Sequence, residues 1–234
     1  LFCHMRLYAI TVFILLSLLG SNAQSAPDTI IIGGLFPLTG SLSGGGVERE
    51  AAARIAVEKI NSLPDILPNT QLIMLTYDTG TSQAVGLTSF LTAVDEGAIA
   101  VVGAASSSVS QITAIAGGVF EIPQLSYSST AATLSNKADY PLFGRLVPPD
   151  NQQGSAFAQF VSFFDWGDTV AAISSADEYG VGGVDQFIKN GADLGVRLRT
   201  YQQFLSGATD IHVEMNELLI SESRVFLAFM LGKD

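Results

Sequence analysis

Residues 99–108 read Ile99-Ala100-Val101-Val102-Gly103-Ala104-Ala105-Ser106-Ser107-Ser108, and this passage decides the fold. An apolar run gives way to small residues and then to three serines. The segment that follows carries Val109, Ile112, Ile115, Ala116 and Val119 at three-four spacing. That is a buried strand, a loop at its carboxyl end and a helix. The same unit recurs in both directions: strands are predicted over 29–36, 71–77, 99–103, 124–127, 169–174, 196–201 and 224–230. Helices are predicted over 47–61, 83–95, 108–120, 151–164, 179–194 and 210–220. Short apolar strands alternating with helical stretches are the form of a parallel sheet covered on both faces. The alternation stutters only over 140–150, where Phe143-Gly144-Arg145-Leu146-Val147 runs into Pro148-Pro149. Two prolines fix an extended chain and fit a crossing between two lobes.

The first methionine is Met5, after Leu1-Phe2-Cys3-His4. From there one cation, Arg6, precedes the apolar run 9–19 and then Ser21-Asn22-Ala23, the pattern of a secretory signal peptide cut after Ala23. A signal anchor is the alternative, although the run falls short of the ~20 apolar residues of a spanning helix. The single cysteine, Cys3, lies in this leader, so the secreted part is expected to depend on its buried core and on no disulfide. The apolar run 226–231 reads as a buried strand with more chain to follow.

The formal charge of −11, from 22 acidic and 11 basic residues, excludes a nucleic-acid partner, which would need clustered Lys and Arg. Enzyme readings fail on missing residues. Past the leader the sequence holds one histidine, His212, within a helical stretch, and it contains no Gly-x-Ser-x-Gly elbow and no Gly-x-Gly-x-x-Gly. Gly44-Gly45-Gly46 is not followed by the Lys-Ser or Lys-Thr of a phosphate loop. Neither a catalytic role, a cofactor nor a metal is expected.

Ligands of open parallel sheets bind outside the carboxyl ends of the strands. Two loops there are rich in hydroxyls: Ser106-Ser107-Ser108 at a helix N-terminus, and Ser126-Tyr127-Ser128-Ser129-Thr130 after the next strand. A helix N-terminus offers free N–H groups and a partial positive charge, which suits a carboxylate. Ser107 is therefore a candidate contact, with simple helix capping as the other account. Asp150, with Gln153 three residues on, has the form of a capping box, and it could equally face a ligand's ammonium. Arg49 sits on the apolar stripe of its helix, with Ala53, Ala56, Val57 and Ile60, at the end where a cation is unfavourable. It either grips a distal carboxylate or reaches back to solvent.

Several motifs together resemble the ligand-binding region of class C receptors, of which the metabotropic glutamate and GABA type B receptors are nearest. They are Leu35-Phe36-Pro37-Leu38-Thr39-Gly40, Val102-Gly103 with Ser106-Ser107-Ser108-Val109, Ile122-Pro123-Gln124-Leu125-Ser126-Tyr127-Ser128, Leu134-Ser135-Asn136, and Tyr179-Gly180 with Gly183, Asp185 and Phe187. Bacterial branched-chain amino-acid binding proteins are more remote. The resemblance implies an α/β fold of the type I periplasmic-binding-protein kind, with doubly wound parallel sheets in two lobes, a Venus flytrap. Lobe 1 would occupy 26–147 and an incomplete lobe 2 would occupy 148–234. It further implies that Ser107 receives a ligand α-carboxylate, that Thr130 contacts the amino end and that Ser128 acts mainly through its backbone. Asp150 would pair the ammonium, Tyr179 would cover the ligand from lobe 2, and Arg49 would hold a side-chain carboxylate. The partner implied is a small amino-acid-like ligand, glutamate or GABA in type, with dimerisation through lobe 1 and attachment to the plasma membrane through a C-terminal region. A nutrient-delivering solute-binding protein and a receptor cyclase ectodomain are the rival readings.

Overall fold

A computed structural model describes residues 26–231; the leader predicted over 1–23, with Cys3, lies outside them. In chain order the elements are β1 (Thr29–Phe36), α1 (Ser43–Ser62), β2 (Gln71–Asp78), α2 (Gln83–Asp95), β3 (Val101–Val102), α3 (Ser107–Phe120) and β4 (Gln124–Ser126). After a 3-10 turn (Ala132–Ser135) come β5 (Phe143–Arg145), α4 (Asp150–Phe163), β6 (Val170–Ser175), α5 (Glu178–Ala192), β7 (Leu198–Phe204), α6 (His212–Ile220) and β8 (Val225–Phe229). The strands form two all-parallel sheets, one in the order β2-β1-β3-β4-β5 and one in the order β7-β6-β8. These are the parallel α/β sheets that the alternation predicts, and they are consistent with the type I periplasmic-binding-protein-like fold that the resemblance implies.

Each sheet has its own core. In β6 every residue is buried, as a central strand covered on both faces requires. The two-residue period sends Val170 and Ala172 to one face, against Ala158 and Val161 of α4 and Val184 and Phe187 of α5. Ala171 and Ile173 go to the other, against Leu218 of α6 and Phe204. In the first sheet Leu35 and Val101 pack with Phe90 of α2 and Val109 of α3. A second group, Ala114, Ala131, Leu134, Tyr140 and Phe143, fills the β5 end.

Of the departures from the expected elements, three have a physical reason to report. The stretch 140–150 is not only a crossing: residues 143–145 form β5, paired with 124–126 of β4. A three-residue strand with glycine at its centre has no period to reveal it. The strand expected over 196–201 begins at Leu198, because Val196 serves to close α5, its N–H donating to the Gly191 carbonyl at 3.0 Å. On α1, Ala53, Val57 and Ile60 are only half-buried and Ala56 is exposed, so the expected stripe covers one edge of the sheet loosely.

The tight start of the site is built at Gly103, with φ +123°, where a Cβ would lie 2.2 Å from the Leu35 carbonyl oxygen. Only glycine lets β3 turn out beside β1 at that distance.

Candidate ligand-binding site

The loops at the carboxyl ends of β1, β3 and β4 meet the head of α5 from the other sheet around a cavity of about 340 Å³. Arg49, Ser107, Ser128, Thr130 and Tyr179 all line it, together with Ser106, Gln153 and Met230. Five of the six residues singled out in the sequence thus face one space, and they come from both sheets. Asp150 does not line the cavity; it is tied to a lining residue, its N–H donating to the Thr130 carbonyl at 2.8 Å.

Ser107 is 3 % exposed. Its hydroxyl oxygen accepts the N–H of Thr130 at 3.2 Å and that of Ala131 at 3.1 Å. Both lone pairs are then used, and the hydroxyl hydrogen is left to donate. The capping account of these serines is not what is seen, because Ser106 is the N-cap of α3 and its side chain makes no cap bond. Ser106 and Ser108 join hydroxyl to hydroxyl at 2.8 Å.

The hydroxyl-rich loops divide into two kinds of residue. Ser126, Ser129 and Ser110 are buried and structural. Ser126 and Ser129 donate to the Ala104 carbonyl at 2.7 and 3.2 Å, and Ser110 and Ser129 share a bond of 2.8 Å. The buried Gln124 amide donates to the Gly103 carbonyl at 2.9 Å. This network locks the loop after β3 to the loop after β4, which leaves Ser128 and Thr130 on the cavity side. No sequence signal separates the two kinds, because loop residues carry no period.

Arg49 is exposed along its helix, and its guanidinium carbon lies 5.8 Å from the centre of the Tyr127 ring. That ring stacks on Phe36 at 5.6 Å, and its hydroxyl donates to the Leu35 carbonyl at 3.3 Å. Burial pushes the Tyr127 phenol far up, with the Arg49 charge drawing it part of the way back. Among the described residues Arg49 makes no ion pair, whereas Arg54 pairs with Glu50. The arginine is therefore steered into the cavity by an aromatic face while its fork remains available.

Asp78, at the end of β2, is a residue the sequence did not point to. It accepts from the N–H groups of Leu38, Thr39 and Gly80 at 2.8, 3.1 and 2.8 Å and from the Thr39 hydroxyl at 2.6 Å. Burial works to raise its carboxyl, but these four bonds outweigh it and hold the group below the usual carboxylate range. They fix the loop that leads into α1 and so set where Arg49 starts.

Asp150 is 1 % exposed, and among the described residues neither carboxylate oxygen has a hydrogen-bond partner. It belongs to the first turn of α4 with Pro149 as N-cap, so the capping-box account does not hold. Burial raises its pKa; the neighbouring Thr130 side chain and the Arg145 charge offset part of that. Tyr179, in the first turn of α5, packs edge-on against Phe229 at 6.2 Å, and its phenol is raised by burial and by the nearby charges of Asp150 and Asp177. Asp177 caps α5 through a 2.9 Å bond from the Gly180 N–H. Beside it Glu178 takes a 2.7 Å hydrogen bond from Thr133, which ties the 3-10 turn after β4 to the head of α5.

A wider, polar space of about 710 Å³ adjoins this cavity, sharing Ser106 and Leu231 with it and passing Gln83, Gln111, Asp177 and Glu178. Among the described residues no group of three or more His, Cys, Asp or Glu side chains is placed to hold a metal ion. The inner cavity offers hydroxyls, a helix N-terminus and a cation on one side and an aromatic ring on the other. Such a lining is chemically suited to polar and charged groups.

Comparison with known proteins agrees with this fold. Residues 48–234 match the family model described as the receptor family ligand binding region. The chain is 33 % identical over 207 residues to metabotropic glutamate receptor 4 of Rattus norvegicus, covering 74 % of this chain and 23 % of that protein. It is 32 % identical over 199 residues to metabotropic glutamate receptor 8 of Homo sapiens, covering 71 % and 22 %. To the extracellular calcium-sensing receptor of Sus scrofa it is 28 % identical over 270 residues, covering 95 % and 25 %. The chain spans about a quarter of the length of these relatives. The resemblance to class C receptors drawn from the motifs is borne out.

Proposed function

The chain belongs to the receptor family ligand binding region, and from that premise we propose that its cavity takes a small amino acid, with closure of the two lobes around it as the signal. The lobes divide near Val147-Pro148. Ser107 donates to the ligand's α-carboxylate, assisted by the N-terminus of α3. Thr130 takes the ammonium, with the negative charge of the buried Asp150 behind it, and Arg49 takes a second carboxylate where the ligand has one. Tyr179 closes over the ligand from the second lobe. A ligand that touches both lobes binds the closed form better than the open one, and that difference in affinity is what shifts the population. The domain stands on the extracellular side of the plasma membrane, dimerises through lobe 1, and reaches the membrane through a C-terminal region of the longer protein.

The observation that carries this reading is the meeting of Arg49, Ser107, Ser128 and Thr130 with Tyr179 around one cavity. Isothermal titration of the full-length receptor with L-glutamate, γ-aminobutyrate and neutral α-amino acids tests it. Saturable binding of at least one of them, abolished by Tyr179→Ala and Ser107→Ala together, is expected. Absence of binding across the set would overturn the reading.

A further inference from the structure

Asp150 poses a physical problem: a carboxylate taken out of water with no hydrogen bond is costly unless a charge compensates it. The cation whose charge acts on it is Arg145, at the end of β5, yet among the described residues the two make no ion pair. The reason lies in where Arg145 directs its donors. Its guanidinium donates to the carbonyls of Ala131 at 2.8 Å and Ser129 at 3.5 Å, and to the Ser135 hydroxyl. These acceptors all belong to the segment that carries Thr130. Arg145 also stands opposite Ser126 in the β4–β5 register, and Ser126 anchors the same loop from the other side.

We infer that Arg145 is a positioning residue of the ligand site: it pins the Thr130 segment by its carbonyls, and its charge supports Asp150 from a distance while leaving that buried carboxylate, behind Thr130, uncommitted to an ion pair and so able to attract a ligand's ammonium. This rests on the reading that the cavity takes an amino acid. The other groups around Asp150 cannot do this work. Thr130 is neutral, and the Tyr179 phenol, at the head of α5 with Asp177 behind it, brings no positive charge. The N-terminal end of α4 adds a partial positive charge from the backbone alone. A direct Arg145–Asp150 pair would satisfy the carboxylate and close it to the ligand. Diverting the fork to three oxygen acceptors prevents that pairing and keeps the long-range attraction, which in a partly buried setting is weakly screened.

Two measurements separate this inference from the function it rests on. In the ligand-free protein, the carboxyl carbon of Asp150 is followed by NMR from acid to neutral pH in wild type, Arg145→Gln and Arg145→Lys. Loss of the positive charge moves the midpoint upward in R145Q, and R145K, which keeps the charge, titrates like wild type. An unmoved midpoint in R145Q, or a midpoint moved in R145K as far as in R145Q, overturns the inference. If R145Q does not fold, R145K alone decides between wild-type and moved midpoints. Calorimetry with L-glutamate on the full-length receptor then reads the consequence. R145Q binds on the order of tenfold more weakly at neutral pH and regains affinity as the pH rises through the shifted midpoint. A loss by the same factor at every pH would show a structural role only and would also overturn it. Failure of the wild type to bind L-glutamate counts against the proposed function, and the NMR comparison then decides the role of Arg145 by itself.

Discussion

The Ser107 hydroxyl oxygen accepts the backbone N–H of Thr130 at 3.2 Å, so the head of α3 and the loop after β4 are one unit. With the second lone pair taken by Ala131, the orientation of the Ser107 O–H is set before any ligand arrives. Preorganisation of this kind spares the ordering cost on binding. Replacing Ser107 by Ala removes the donor and leaves two N–H groups unpaired. The expected loss for a carboxylate ligand is about tenfold to a hundredfold in affinity, since a hydrogen bond to a charged group contributes roughly 1.5–3 kcal/mol. Titration of Ser107→Ala against wild type measures it.

Arg49 should discriminate among ligands instead of serving all of them. Its fork makes no ion pair among the described residues and leans over the Tyr127 ring. Arg49→Gln is expected to weaken an amino acid with a side-chain carboxylate by on the order of tenfold or more, and to leave L-alanine nearly unchanged. Competition binding with the two amino acids checks the ratio.

Asp150 is expected to destabilise the ligand-free protein at neutral pH. Its folded pKa lies above its unfolded one because of burial, so the folded state binds this proton more tightly than the unfolded chain does. The group therefore gives most to stability below its unfolded pKa, and that contribution is lost as pH rises through its folded pKa. Asp150→Asn is expected to raise the melting temperature of the ligand-free domain at neutral pH, by roughly 2–4 °C for each kcal/mol recovered. It should also weaken an ammonium-bearing ligand. Scanning calorimetry with and without L-glutamate reads both.

Asp78 behaves in the opposite sense. Hydrogen bonds hold its folded pKa below the unfolded value of about 3.9, so its contribution is present above that value and is lost as pH falls through the folded pKa. The wild type is expected to lose stability through this group in the acid range, and Asp78→Asn to show a flatter acid limb from a lower plateau. Denaturant titrations between neutral and acid pH compare the two.

Gly103→Ala tests the backbone of the site. A Cβ there would meet the Leu35 carbonyl oxygen at 2.2 Å with φ at +123°. The expected cost is well over ~1 kcal/mol, read from the denaturation midpoint.

Much of the fold is legible because it is periodic. The apolar runs and three-four spacings place every strand of the second sheet, and α2 falls on its predicted bounds of Gln83–Asp95. The misses come where pairing is non-local or the element is short: β5 exists because 143–145 pair with 124–126. In the site, the strand-end rule points to the two hydroxyl-rich loops and to Ser107, the resemblance singles out Ser128, Thr130 and Tyr179, and the misplaced charge at Arg49 leaves two readings open; the structure brings these five residues to one cavity. Burial of Asp150 is invisible in sequence, since an acidic residue in a first helical turn is an ordinary favourable choice. Asp78 and Arg145 act on backbone groups of segments remote in sequence, residues 38 and 39 for the one and 129 and 131 for the other, which no local pattern records.

The proposed function stands or falls on one cavity between two lobes holding an amino acid by its carboxylate and ammonium. Calorimetry of the full-length receptor with L-glutamate, γ-aminobutyrate and L-alanine, in wild type and in Ser107→Ala, puts that to the test. Saturable binding of at least one of the three in wild type, with a loss of tenfold or more in the variant, is the expected result; binding that Ser107→Ala leaves unchanged, or no binding at all, would refute it.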